Sequence, residues 1–180
     1  LILLAAGNSK RLKSEIPKPF QTINSKMLLE YSLNAFSDFS EIKKVIIVYN
    51  KKHKKYLDKL KQKKFIRVVG GKNRQESTFN ALKKIKKFNC NKVLIHDAAR
   101  PNPSKKIIKN IIHYLKTNNA VIPVIKATDA TKRVRKNKIF KNIERNSLRF
   151  AQTPQGFNYK KIYKKHKKNI SSYFNDDSSL

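Results

Sequence analysis

Three small groups of residues in this chain carry the types and spacings that could do chemistry together. They are Lys18 between Pro17 and Pro19, the pair Gly70-Gly71 ahead of Ser77, and Asp97 three residues before Arg100. Lys18 closes the stretch Leu1 to Phe20, LILLAAGNSKRLKSEIPKPF. It opens as an apolar run, Leu1-Ile2-Leu3-Leu4, short enough for a buried strand and too short to span a membrane. Ala5, Ala6 and Gly7 then leave the backbone almost bare, and polar Asn8 and Ser9 precede the cations Lys10, Arg11 and Lys13. The prolines stiffen the chain on both sides of Lys18. Free amides after a strand, with cations nearby, are what a polyphosphate needs. A plain basic strand-to-loop turn would read the same way.

Gly70-Gly71-Lys72-Asn73-Arg74-Gln75-Glu76-Ser77 joins a glycine turn to a helix start. Glycines let a ring or ribose approach the backbone, and the Ser77 hydroxyl with nearby amides can bond it. A glycine pair after a strand is more often only a turn. In His96-Asp97-Ala98-Ala99-Arg100-Pro101, Asp97 stands where a strand should end. One carboxylate there suits Mg²⁺, which wants hard oxygens and keeps several waters while bridging phosphates. Arg100 braces the loop or reaches a phosphate; an Asp capping its own loop, with Arg100 as surface partner, is the plainer alternative. His96 is read as packed beside the strand rather than as a base.

The elements that must position these groups follow from apolar periodicity. Strands are predicted at 1–4, 45–48, 65–69, 93–96 and 120–124. Helices are predicted at 26–36, 51–63, 75–87, 104–116 (capped by Ser104) and 158–168. Strands alternating with helices imply a mostly parallel sheet covered on both faces, an α/β fold. In such sheets ligands collect at the carboxyl ends of the strands, so one crevice can take all three loops. From Lys126 to Gln152 the helical period is lost, and two extended segments flank the turn Arg135-Lys136-Asn137-Lys138. That segment is expected to be a hairpin arm reaching off the domain, with an edge hairpin folded on its own sheet as the alternative.

The 180 residues suffice for one domain with a real core, and an apolar content of 39% excludes a disordered tail. No stretch reaches membrane-spanning length and no signal peptide is visible. The chain begins with Leu already in a strand, so it is expected to be clipped at its start. Cys90 is the single cysteine, which excludes an internal disulfide and fits a reducing cytoplasm. The formal charge of +32 ordinarily points to nucleic acid. Here the excess is mostly lysine spread along the helices, without aromatics interleaved as stacking platforms. A solvated basic surface that draws in polyanionic substrates is the preferred reading, and no specific nucleic acid is expected.

The pattern LAAGxSxRLxxxxPKxF resembles the nucleotide-binding loop of sugar- and alcohol-phosphate nucleotidyltransferases. GGxxRQxS followed by NAL, and IHDAARP, are similar to one branch of them, the 2-C-methyl-D-erythritol 4-phosphate cytidylyltransferase family. The resemblance implies a Rossmann-like domain over 1–180 and transfer of CMP from CTP to the acceptor phosphate. It implies CTP binding by Ala5, Ala6, Gly7, Asn8, Ser9, Gly70, Gly71, Ser77, Asp97, Ala98 and Arg100, with Mg²⁺ at Asp97. Arg11 and Lys18 take the catalytic roles, neutralising charge on the α-phosphate and the leaving pyrophosphate. The arm, about 126–152, implies a homodimer in which Arg145 and Thr153, within ERNSLRFAQTPQGF, bind the acceptor phosphate. Two departures stand out: Ala130 replaces a usual threonine, and the family continues past Asp176-Asp177-Ser178 to a strand and a lysine. Fusion to a second catalytic domain is left open. A sister enzyme acting on ribitol 5-phosphate, or a basic nucleic-acid-binding protein, are the alternatives.

Overall fold

The computed structural model describes residues 1–9, 14–60, 64–169, 174 and 176–180. The first half of the chain runs β1 (Ile2–Ala5), β2 (Thr22–Ile23), β3 (Lys26–Met27), α1 (Leu28–Ala35), β4 (Ile46–Tyr49), α2 (Lys54–Asp58), β5 (Ile66–Val69) and α3 (Arg74–Ile85). There follow β6 (Lys92–Asp97), α4 (Lys105–Tyr114), β7 (Ala120–Val121), β8 (Val124–Lys126), β9 (Thr131–Arg135), β10 (Lys138–Ile143), β11 (Arg149–Ala151), β12 (Gln155–Asn158) and α5 (Tyr159–Lys168).

Six strands form one sheet in the order β5-β4-β1-β6-β12-β7. The first four are mutually parallel, and β12 runs antiparallel to both its neighbours. Side chains alternate across each strand, so the apolar run of β1 sends Leu3 and Ala5 to one face and Ile2 to the other. The first face packs with Leu29, Leu33, Ile108 and Ile111 of α1 and α4. The second packs with Ala81, Leu82, Ile85 and Ile162 of α3 and α5. Fully burying each such side chain contributes about 1.5–3 kcal/mol, which is why a continuous apolar strand reads as central.

Several boundaries differ from the sequence expectation. The strand expected at 120–124 is divided at Ile122-Pro123: β7 joins the sheet, whereas β8 leaves it to pair with β11. Pro123 has no N–H to continue a ladder. The helix expected at 51–63 is a 3₁₀ turn, Lys51–His53, followed by the five-residue α2. Within α2 only Leu57 is buried, too little apolar anchorage to sustain a long helix. Residues 61–63 lie outside the described part. The helix expected from 26 begins at Leu28, because Lys26-Met27 closes a tight hairpin on Thr22-Ile23 through Asn24 and Ser25, both at positive φ.

Strand β12 was not anticipated, since Gln155-Gly156-Phe157-Asn158 has neither alternation nor β-branched residues. Its glycine is there for space. A Cβ on Gly156 would stand 2.6 Å from both Ile111 and Leu115 of the helix layer above. Gly156→Ala is therefore expected to destabilise the fold by about 1–3 kcal/mol through overpacking, measured by chemical denaturation. An unchanged midpoint would show that α4 can lift.

The arm consists of two antiparallel ladders, β8 with β11 and β9 with β10, and neither joins the six-stranded sheet. Its tip is the expected turn, with Lys136 and Asn137 at φ 47° and 60°, the left-handed pair that suits a two-residue hairpin. Its apolar residues are open to solvent: Val124, Ile125, Val134, Ile139, Phe140 and Phe150 are all about half exposed or more.

Candidate active site

The topology reverses between β1 and β6, and a cleft of about 640 Å³ opens at their carboxyl ends. Gly7, Asn8 and Ser9 enter it after β1, Asn50 after β4, Gly71 to Arg74 with Ser77 after β5, and Asp97, Ala99 and Arg100 after β6; Lys18 and Pro19 complete the wall. The three loops singled out by sequence thus share one space. A second cavity of about 410 Å³, beside Leu1, Phe88, Cys90 and Ile112 at the opposite end of the strands, holds none of the motif residues.

The first loop is folded by its own polar groups. Ser9, at φ 49°, accepts a hydrogen bond from the Lys18 backbone N–H at 2.8 Å, and Asn50 donates to Asn8 at 3.1 Å. Pro17, Pro19 and Phe20 are buried while Lys18 between them is exposed, so the anchored prolines present the lysine to the cleft. A Cβ on Gly7 would meet nothing within 4 Å. Arg11 lies outside the described residues.

Close backbone approach explains the second loop. A Cβ on Gly70 would fall 2.5 Å from the Ala6 Cβ and 2.9 Å from Ser77 Oγ, so only glycine lets the first and second loops touch. Asn73 caps α3 by accepting from the Glu76 N–H at 2.8 Å. The Ser77 hydroxyl accepts from the Gly71 N–H at 3.0 Å, and Glu76 accepts from the Lys72 N–H at 2.8 Å. Ala5, Gly70 and Ala98 of the expected binding residues are not among those that line the cleft. Ala5 and Ala98 are fully buried, and Gly70 backs onto Ala6. Ala99, not Ala98, faces the cleft.

At the end of β6, Asp97 is one-third exposed and stands between two arginines. Arg74 reaches one of its oxygens at 3.5 Å and Arg100 Nε the other at 3.3 Å. The loop below is pinned by buried Ser32 of α1, whose hydroxyl donates to the Ala98 carbonyl at 3.0 Å. His96 is fully buried and burial lowers its pKa, which keeps it neutral. Its Nε2 lies 2.9 Å from the Arg100 carbonyl, which can only accept, so that nitrogen carries the proton. Nδ1 therefore accepts from the Thr153 hydroxyl at 2.9 Å, and Thr153 in turn accepts from the Asp97 N–H at 3.3 Å. His96 is packed in the interior beside the strand, as expected.

Thr153, whose hydroxyl proton is committed to His96, is not among the cleft-lining residues. Arg145 stands on the arm, donating to the Thr128 carbonyl at 3.3 Å, and likewise does not line the cleft of its own chain. Among the described residues no group of three or more His, Cys, Asp or Glu side chains gathers as a metal cage. Among the described cleft-lining residues Asp97 alone offers a hard, partly exposed carboxylate, and this donor set fits Mg²⁺, which takes its remaining ligands from water and phosphate.

Sequence reasoning passed over Arg74 and the groups behind it. Arg74 also pairs with Asp177, which is 2% exposed and hydrogen-bonded to buried His166 at 3.1 Å. Asp177 lies 103 residues away from Arg74, and no spacing rule could join them. Only the arginine's place at the start of α3, just after the glycine loop, hinted at a role.

The family profile described as "IspD: 2-C-methyl-D-erythritol 4-phosphate cytidylyltransferase" matches residues 1–180. A "Bifunctional enzyme IspD/IspF" of Pelagibacter ubique is 43% identical over 99% of this chain, which spans 48% of that protein. A 2-C-methyl-D-erythritol 4-phosphate cytidylyltransferase of Bacillus cytotoxicus is 34% identical over the whole chain, which covers 82% of it. Among solved structures, the 4-diphosphocytidyl-2C-methyl-D-erythritol synthase of Anaerococcus prevotii superposes with a TM-score of 0.81 at 31% identity, over 98% of this chain and 78% of that one. The bifunctional IspDF of Campylobacter jejuni gives 0.83 at 29% identity, over 99% and 45%. The chain thus spans about half of the bifunctional relatives and about four fifths of the single-activity ones. With the cleft and its three loops matching the sequence motifs, and the profile matching end to end, the chain belongs to the 2-C-methyl-D-erythritol 4-phosphate cytidylyltransferase family.

Proposed function

We propose that the protein transfers CMP from CTP to 2-C-methyl-D-erythritol 4-phosphate, forming the CDP-alcohol and releasing pyrophosphate. The observation that carries this reading is the convergence of Lys18, the glycine loop and Asp97 on one cleft, in a chain of this family. A phosphate oxygen of the acceptor attacks the α-phosphorus of CTP, and the bond from that phosphorus to the bridging oxygen breaks, leaving with pyrophosphate. The attacking phosphate is already an anion, so no general base is required. Rate enhancement must come from alignment and from cations placed where charge accumulates. We assign that work to Lys18 and Arg11. The amides of Gly7 to Ser9 cradle the triphosphate, and the Gly71 to Ser77 loop receives the base and ribose. Asp97 would hold Mg²⁺ against the phosphates, and such an ion supplies charge neutralisation there. Thr153 we assign to holding the Asp97 backbone, and Arg145 to the acceptor phosphate of a second subunit, where its planar fork can grip bidentately.

No helix among the described residues is long and apolar enough to cross a membrane, and we place the reaction in the cytoplasm. The arm supports a homodimer, because its Ile139, Phe140 and Phe150 are each more than half exposed among the described residues. Ile139→Asp with Phe140→Asp is expected to turn a dimer into a monomer in sedimentation equilibrium while far-UV circular dichroism is unchanged. A dimer that persists would move the interface elsewhere.

Pyrophosphate release with CTP and Mg²⁺, comparing 2-C-methyl-D-erythritol 4-phosphate with ribitol 5-phosphate, tests the reaction. Release with the first acceptor alone is the expected result. Release with ribitol phosphate alone would keep the mechanism and change the substrate. A folded protein inactive with both would sink the enzyme reading.

A further inference from the structure

A line of alternating charge leads from the cleft into the interior. Asp97 is flanked by Arg100 and Arg74; Arg74 bridges to Asp177; Asp177 receives His166 at 3.1 Å. The inner groups are sealed: the side chains of His166 and Asp177 are 0% and 1% exposed, and His166 stacks on Phe79 at an interplanar angle of 4°. Burial alone would raise the Asp177 pKa, yet the His166 hydrogen bond and the Arg74 charge hold it below the ordinary value. A buried carboxylate of this kind is costly, and the cleft chemistry assigned above makes no direct use of it.

We infer that Arg74 is a positioning residue, anchored by Asp177, that keeps the Asp97 carboxylate open toward a Mg²⁺–triphosphate in the cleft. The inference rests on the nucleotidyltransfer reading of the site and adds residues to it. The geometry gives the reason. An arginine fork and a carboxylate left alone pair through two parallel hydrogen bonds. Arg100 reaches Asp97 through Nε and gives one of its two terminal nitrogens, Nη1, to Gln152. Arg74 stands 3.5 Å from the other Asp97 oxygen, an ion-pair contact without a hydrogen bond, so its charge holds that oxygen away from Arg100 while leaving its lone pairs for a metal. Arg74 would itself swing onto a bound triphosphate unless something held its other nitrogen, and Asp177 does so from the side away from solvent. Lysine, a single point charge, cannot span two carboxylates in this way.

The test is the calorimetric affinity for CTP with saturating Mg²⁺ and again in EDTA, for wild type, Arg74→Gln and Asp177→Asn. In both variants the Mg²⁺-dependent tightening of CTP binding should shrink by about tenfold or more, the usual cost of removing a group that orients a metal ligand, with metal-free affinity changed less than about threefold. Arg74→Lys should not rescue. An unchanged ratio with only a lower melting temperature would make the network purely structural and overturn the inference. Equal losses with and without Mg²⁺ in Arg74→Gln would overturn it too, making Arg74 a direct phosphate ligand. If wild type itself shows no Mg²⁺-dependent tightening, the inference falls together with the metal assignment; tightening in wild type that the variants keep sinks the inference alone. Should Asp177→Asn not fold, Arg74→Gln decides, because it leaves the Asp177–His166 pair intact.

Discussion

Lys18→Ala is expected to lower pyrophosphate release by about a hundredfold or more, the loss of one cation that meets charge developing in the transition state. The fold should be untouched. The Lys18 side chain is exposed, and what pins the loop is its backbone N–H on Ser9 together with buried Pro17, Pro19 and Phe20, all of which the alanine variant keeps. The melting temperature should therefore stay with wild type while kcat collapses. Lys18→Arg keeps the charge but moves it and should recover part of the rate. A folded alanine variant turning over near the normal rate would remove Lys18 from the mechanism and return the opening loop to a simple basic turn.

The second large effect lies in stability. Asp177→Ala should destabilise the protein by about 3–5 kcal/mol, the usual cost of breaking a buried ion pair from one side. For a chain of this length that is a fall in melting temperature of roughly 6–20 °C. Arg74 would lose its inner partner and His166 Nε2 would be left buried with none. The exposed pair Arg67–Asp58 is the control: Asp58→Ala should change stability by about 1 kcal/mol or less, because water screens that pair. The difference also has a pH signature. The Asp177 carboxyl is held below its ordinary value of 3.8. Its contribution is therefore complete above 3.8 and fades as pH falls below that value toward the folded pKa. Denaturation of wild type and Asp177→Ala should show a gap that closes in acid. A gap that widens in acid would mean that Asp177 is not ionised in the native protein.

What the sequence made legible, and what it hid, divides along the length of the interactions. The parallel sheet was readable because strands buried on both faces must be apolar at every position, and Val45 to Val48 or Val93 to Ile95 can hardly be anything else. The cap read at Ser104 was local too, its hydroxyl accepting from the N–H of Ile107. By contrast β12 was missed because its reason for being a strand is the space under Ile111 and Leu115, 40 residues or more away. The long basic helix failed for want of anchorage: α2 buries only Leu57, whereas the equally lysine-rich α5 buries Tyr159, Ile162 and His166.

The chain by itself determined the class of the protein: short apolar strands, bare loops at their carboxyl ends, and the residues in those loops that suit phosphate and a hard cation. These are local properties of composition and spacing, and they follow from backbone sterics and burial. Tertiary structure alone decided which residues are walls and which are supports. Ala99 faces the cleft and Ala98 the core; Thr153 is tied to His96; and Arg74 is joined to an aspartate 103 residues distant. Such partnerships are set by how layers close over one another, and buried charge finds its partner in space with no periodicity to announce it.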